Sequence, residues 1–246
     1  MLKEHEDAYG RELLAHFHDE DSFEIVERDD GYFDVSPGPE AYFAPYTAWP
    51  QHQQRAIQLA KGRVLDVGCG AGRVCLYLQN QDLNVLGIDI SPLALEVCRL
   101  RGVKNLKLIS IADVGPQLGS FDTIVLFGNN FGLLAGFDEG RRILKNLHTI
   151  TSQDAIILAE SNDRIQTREP AHLAYQKWNQ ERGRMPGQLR LRVRFKKFVT
   201  PWFDYLIVTK NEMQQIVSGT GWKIREFLDE PDNPMYVAIL EKDERR

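Results

Sequence analysis

Between Val64 and Ala159 the chain alternates short apolar runs with stretches of helical period. Val64-Leu65-Asp66-Val67, Asn84 to Asp89, Leu106 to Ile111, Phe121 to Phe127 and Ala155 to Ala159 read as five buried strands, since each is an apolar run of strand length bounded by turn residues. Ser91 and Pro92 supply a cap and a first-turn proline for a helix from Leu93 to Arg101. Asp138 to Thr149 has the period of another. Strands alternating with helices predict an α/β fold with a parallel, doubly wound sheet. Near the end, Thr209-x-x-Glu212 is a capping box opening a helix, and Trp222 to Leu228 and Met235 to Glu241 read as two final strands. The short link through Pro231 and Pro234 permits antiparallel pairing but not a helical crossover. The expected sheet is mostly parallel and seven-stranded, with an antiparallel last strand.

Two segments fall outside this rhythm. In the first, residues 1–48, Ala8, Tyr9, Leu13 and Phe17 recur at helical spacing, and Glu24 to Val35 alternates around the hairpin turn Asp30-Gly31. Tyr42, Phe43, Tyr46 and Trp49 follow, and could wall a pocket or simply pack the extension on its domain. Pro50 then starts a helix toward Leu59. The second segment, at about 160–208, holds a polar helical stretch around His172 to Asn179 and then an antiparallel hairpin whose first strand carries Arg190, Arg192, Arg194 and Lys196 on one face. Such a row either meets an anion or another subunit, or guards an exposed strand as a solvated face. The expected division is an extension over 1–48, acting as lid or packing, and a main domain over 49–246 with an insertion at about 160–208.

The first strand leads into Gly68-Cys69-Gly70-Ala71-Gly72, with an acid, Asp66, just before it. Glycines there allow positive φ and remove the Cβ atoms that would hold a ligand off the backbone. A dinucleotide fingerprint requires G-x-G-x-x-G. Counted from Gly68 its third slot is Arg73, and counted from Gly70 it is Cys75, so the pattern is Asp-x-Gly-x-Gly-x-Gly instead. Asp89 closes the next strand roughly 20 residues on, where a ribose-binding carboxylate is expected. Asp113 follows the third strand, either as a ligand contact or as the opening of the Val114-Gly115-Pro116 turn.

This ordered set resembles the class I, Rossmann-like S-adenosylmethionine-dependent methyltransferases of small-molecule type, over roughly residues 49–242. The resemblance implies S-adenosylmethionine as cofactor and S-adenosylhomocysteine as its product. It implies a cofactor site of Asp66, Gly68, Cys69, Gly70 and Gly72, of Asp89 with Ile90, and of Ala112 with Asp113 near the adenine. The loop Gly128-Asn129-Asn130-Phe131-Gly132 after strand four is similar to that of glycine- and sarcosine-type N-methyltransferases. By that likeness Phe127 and Asn130 become cofactor-side candidates and Asn129 a substrate-side one. A turn without a ligand is the competing reading. His172 and His148 are conceivable bases if a hydroxyl or ammonium acceptor must lose a proton.

At 246 residues, 43% of them hydrophobic, the chain can bury a full core. Its formal net charge of -5 argues against a nucleic-acid partner, which calls for a broad basic surface. There is no apolar run of bilayer-spanning length and no signal-peptide layout at the start, so a cytoplasmic location without membrane partner is expected. Cys75 and Cys98 read as core residues and Cys69 as a backbone contributor. No metal motif is found among these cysteines and the histidines. The function expected is methyl transfer to the N or O of a small molecule by in-line displacement. A protein substrate, a catalytically silent cofactor-binding or partner-binding module, and a dehydrogenase remain as alternatives. Oligomeric state is not legible.

Overall fold

The computed structural model describes residues 1–36, 39–163 and 167–243. In chain order the elements are α1 (Ala8–Phe17), β1 (Glu24–Arg28), β2 (Phe33–Ser36), α2 (Glu40–Phe43), α3 (Gln51–Ile57), β3 (Arg63–Val67), α4 (Arg73–Gln79), β4 (Asn84–Asp89), α5 (Pro92–Leu100) and β5 (Leu106–Leu108). They continue with β6 (Phe121–Leu126), α6 (Phe137–Thr149), β7 (Thr151–Asn162), α7 (Pro170–Glu181), β8 (Gln188–Phe195), β9 (Phe198–Val199), β10 (Phe203–Leu206), α8 (Lys210–Val217), β11 (Trp222–Asp229) and β12 (Met235–Lys242). Among the described residues no helix is long and apolar enough to cross a membrane.

Seven strands form one sheet in the order β11-β12-β7-β6-β3-β4-β5. Pairs β4/β5 and β6/β7 are parallel, whereas β12 runs antiparallel to both β7 and β11. This is the doubly wound arrangement the periodicity predicts. Chain order reverses at β3, and in open sheets of this kind ligands bind beyond the carboxyl ends of the strands at such a reversal. The third predicted strand is shorter than its apolar run: β5 stops at Leu108, and Ile111–Asp113 is a 3-10 turn. Ser110 ends the strand by accepting from the Asp113 amide on its carbonyl and from the Ala112 amide on its Oγ.

The residues cluster into two compact units. One comprises Met1–Trp49, Leu65–Asp113 and Arg190–Phe203, the other Pro50–Val64, Val114–Leu189 and Asp204–Arg246. In the first, α1 packs on α5 around Leu13, Ala71, Ala94 and Val97, with Tyr9, Phe17, Tyr42 and Phe43 against them. Asp7 fastens this contact. It caps α1 through the Gly10 amide and accepts from the Ser91 hydroxyl at 2.8 Å and the Leu93 amide at 3.1 Å. Tyr46 stacks on Tyr77, and Trp49 is almost wholly buried under the Arg73 guanidinium.

A second sheet has the order β10-β8-β1-β2, with β9 on β8. The sequence suggests two separate hairpins, but their strands pair, Val26 opposite Val193 and Glu27 opposite Arg192. β8 is therefore flanked on both sides, and the expectation that its basic row guards an exposed strand is corrected. Arg192 makes a two-point contact with Glu27 at 2.7 and 2.8 Å, and Arg194 also donates to Glu27. These bonds, that from Arg192 foremost, hold the Glu27 carboxyl down at about 2.

Candidate functional site

In the first unit the site is built on the carboxyl ends of β3 and β4. The amides of Gly68 and Cys69 both donate to the Ile88 carbonyl, which closes the turn onto β4. Gly70, at φ +52°, then points its amide at Asp89 Oδ2, 3.0 Å away, while Ser91 N donates to Oδ1 at 2.9 Å. Asp89 is thus fixed at both oxygens. Burial pushes its pKa up against the lowering effect of those two amides.

A Cβ at Gly70 would stand 2.7 Å from the Tyr9 hydroxyl, and one at Gly72, where φ is +80°, would meet Val103 at 2.8 Å and the Cys98 sulfur at 3.0 Å. Both positions therefore exclude other residues by conformation and by space. The turn, its fixed acid and its bare backbone fit the tail and sugar of a nucleoside cofactor.

The three cysteines gather under this turn. Cys98 donates to the Gly70 carbonyl at 3.0 Å, and its sulfur lies 3.9 Å from that of Cys69. Cys75 donates to Asp66 Oδ2 at 3.1 Å. Burial raises the Asp66 pKa to about 6, in spite of that bond. Asp66 and the thiols are thus structural neighbours of the turn, and Cys69 contributes packing as well as backbone. Ile90 is partly exposed and accepts from the Leu2 amide through its carbonyl. Ala112 and the exposed Asp113 occupy the 3-10 turn after β5.

In the second unit, Phe127 is buried at the end of β6, and Asn129 takes a left-handed conformation, φ +62°. The Asn129 carbonyl accepts from the Tyr205 hydroxyl at 2.7 Å, and its side-chain Oδ1 is buried without a partner. Asn130 opens the following 3-10 turn. His172, in the first turn of α7, shares a hydrogen bond with Thr167. His148 is corrected as a candidate base. It ends α6, beside Trp222 and at the amino end of β7, the opposite end of the strands from the Asn129 loop.

What positions that loop is Glu160, at the end of β7. Its Oε2 accepts from the Gly128 amide at 2.5 Å and the Asn129 amide at 3.2 Å, and its Oε1 accepts from Gln53 at 2.7 Å. His52 on α3 lies 2.8 Å from Glu160 through Nε2 and 2.5 Å from Glu230 through Nδ1. Both ring nitrogens face oxygens that only accept, so the imidazolium satisfies the site. Burial disfavours that charge, but the two carboxylates outweigh it and raise the His52 pKa. No motif marks His52 or Glu230. Glu160 carries the signal that marks Asp89, an acid closing an apolar strand.

A family model described as "Methyltransferase domain" matches residues 64–154. Over nearly its whole length the chain superimposes on the crystal structure of a SAM-dependent methyltransferase from Bacteroides fragilis in complex with S-adenosyl-L-homocysteine. The TM-score is 0.83 and the identity 25%, with 98% of this chain and 97% of that one covered. With a protein of Geobacillus sp. (strain WCH70), named provisionally as a methyltransferase, it shares 27% identity over 124 residues, 47% of this chain and 50% of that protein. With the ubiquinone biosynthesis O-methyltransferase of Xanthomonas oryzae pv. oryzae (strain PXO99A) it shares 35% over 74 residues, 28% of this chain and 31% of that enzyme. The chain spans about half the length, or less, of these curated relatives. Fold, turn and likeness together define a nucleotide-type cofactor domain of the methyltransferase kind. In fold and in its glycine turn the chain resembles the class I, Rossmann-like S-adenosylmethionine-dependent methyltransferases.

Proposed function

We propose that the protein methylates a nitrogen or oxygen of a small molecule, with S-adenosylmethionine as donor. The observation that carries this reading is the Gly70 amide pinned to Asp89 beneath a turn in which Gly70 and Gly72 leave no space for side chains. The resident groups fit the cofactor: Gly68, Cys69, Gly70 and Gly72 at its amino-acid end, with Asp66 supporting the turn; Asp89 and Ile90 at the ribose; Ala112 and Asp113 at the adenine. Phe127 and Asn130 belong to its methionyl side, and Asn129 to the acceptor. Bound there, S-adenosylmethionine supplies a methyl group already activated on a sulfonium. The chain then has to align the acceptor and exclude water, and positioning of that kind is worth up to about 7–11 kcal/mol. His172 is held as an acceptor-side base for a proton that must leave.

The test is incubation of purified protein with labelled S-adenosylmethionine and a metabolite extract. Label is expected in a small product and not in protein. Label in protein alone replaces the small-molecule reading. Binding of S-adenosylhomocysteine with no transfer to any fraction identifies a silent binding module. Heat on titration with NAD, and none with S-adenosylhomocysteine, overturns the methyltransferase reading.

A further inference from the structure

The amides of the glycine turn are largely engaged inside the first unit. Those of Gly68 and Cys69 donate to the Ile88 carbonyl, that of Gly70 to Asp89, and that of Gly72 to the Cys69 carbonyl at 2.8 Å. A carboxylate seated at this turn therefore needs a donor from a side chain, because a charge drawn out of water without one is costly. Tyr9, in the first turn of α1, stands against it. Its hydroxyl oxygen lies 2.7 Å from where a Gly70 Cβ would be and its Cζ 3.8 Å, so the oxygen is the end that faces the bare backbone. Among the described residues that hydroxyl has no hydrogen-bond partner.

Tyr9 is held there from several directions. Asp7, 0% exposed, caps α1 and fixes it to Ser91 and Leu93, and the Leu2 amide donates to the Ile90 carbonyl at 3.0 Å. The start of the chain is thus fastened to the residues that directly follow Asp89. Helix α1 comes so close to them that a Cβ at Gly10 would run into Ser91 and Leu93. The Tyr9 ring meets that of Tyr42 edge to face at 5.5 Å and packs on the cluster of Leu13, Ala71, Ala94 and Val97. Burial foremost, and then Tyr42, Asp89, Glu24 and Glu12, push the Tyr9 pKa well above its ordinary value of 10, so the hydroxyl keeps its proton and can donate it. We propose that the Tyr9 hydroxyl donates a hydrogen bond to the carboxylate at the amino-acid end of the cofactor, which makes α1 a wall of the cofactor site and not packing alone. This assignment rests on the cofactor reading given above, and adds to it a residue from outside the glycine turn and its acids.

Two ligands test it on the purified full chain: S-adenosylhomocysteine, and S-adenosyl-3-thiopropylamine, which keeps the adenosine, the sulfur and the ammonium but lacks the carboxylate. Affinities are read by calorimetry, or by displacement of labelled S-adenosylhomocysteine for the weaker ligand. Tyr9→Phe keeps the ring and removes the donor. It is expected to weaken S-adenosylhomocysteine at least about tenfold, the size of one charge-assisted bond, and to leave the affinity for the amine within about twofold. The ratio of the two affinities within one protein cancels any effect of the substitution on folding. A loss as large for the amine as for S-adenosylhomocysteine, or no loss for either, overturns the role of Tyr9 and leaves the cofactor reading standing. Failure of the wild-type protein to bind S-adenosylhomocysteine overturns the cofactor reading itself, and the role of Tyr9 falls with it.

Discussion

His52 sits wholly buried against Glu160, Nε2 to Oε1 at 2.8 Å, and through Glu160 it sets the backbone of the Asn129 loop. The carboxylate gathers two amides, an amide side chain and an imidazolium. Removal of its charge leaves a buried cation half paired, which costs about 3–5 kcal/mol. Glu160→Gln should therefore lower the urea-unfolding free energy by that order, and an unchanged midpoint would remove the network from any account of the loop.

The same pair predicts a pH dependence. The His52 pKa is raised in the folded protein, so its contribution is complete below the ordinary value of 6.5 and is lost as pH rises through the higher folded value. His52→Asn should flatten the decline of stability on the alkaline side of neutrality. Denaturation curves at a series of pH values from about 6 upward provide the measurement.

Asp89 accepts a backbone amide on each oxygen, and the function proposed above assigns it the ribose hydroxyls. In Asp89→Asn one of those oxygens becomes an NH2 facing an N–H donor, Gly70 or Ser91. Charge-assisted bonds are worth about 1.5–3 kcal/mol each, so calorimetry should show S-adenosylhomocysteine binding weakened at least about tenfold. An affinity within twofold of wild type would take Asp89 out of the cofactor site.

Asp66, the glycine turn and Asp89 were legible because each is a local pattern, an apolar strand closed by an acid or by glycines. Glu160 has that pattern too, but its meaning depends on His52, 108 residues away, and on what Glu230 does to His52 across 178. Spacing cannot encode such distances. The same limit hid the pairing of β1 with β8, which turns a row of arginines into partners of Glu27. Glu12 was invisible for a different reason, since a polar residue in an amphipathic helix reads as a solvated position, whereas the fold buries it completely and places Glu24 of β1 near it.

Gly70 meets two separate demands, a left-handed backbone and clearance under Tyr9. Gly70→Ala should destabilise by about 1–2 kcal/mol from conformation alone, with a further loss from the tyrosine contact. Adding Tyr9→Phe should recover only the second part. Thermal unfolding of both variants separates the two, and full recovery in the double variant would show that the turn conformation carries no strain.

Glu12 makes the protein less stable in alkali. Its folded pKa of about 8 lies above the ordinary 4.5, so between these values the folded chain holds a proton that the unfolded chain has released. Stability is complete below about 4.5 and is lost as pH rises through 8. Glu12→Gln, which mimics the protonated acid, should abolish that slope. A difference of one pKa between folded and unfolded chain is worth about 1.4 kcal/mol, so the variant should gain several kcal/mol at alkaline pH. Parallel slopes for variant and wild type would contradict the burial of this carboxyl.

Asn129 joins a backbone requirement to a side-chain one. Its φ of +62° is easy for asparagine or glycine and strained by about 1–2 kcal/mol for alanine, while its buried Oδ1 awaits a donor. Asn129→Gly should leave the unfolding temperature and the S-adenosylhomocysteine affinity near those of wild type, yet reduce methyl transfer at least tenfold once an acceptor is in hand. Asn129→Ala should lose both transfer and stability. Wild-type turnover in the glycine variant would show that the side chain does not touch the acceptor, and the loop would then serve only to shape the backbone that Glu160 holds.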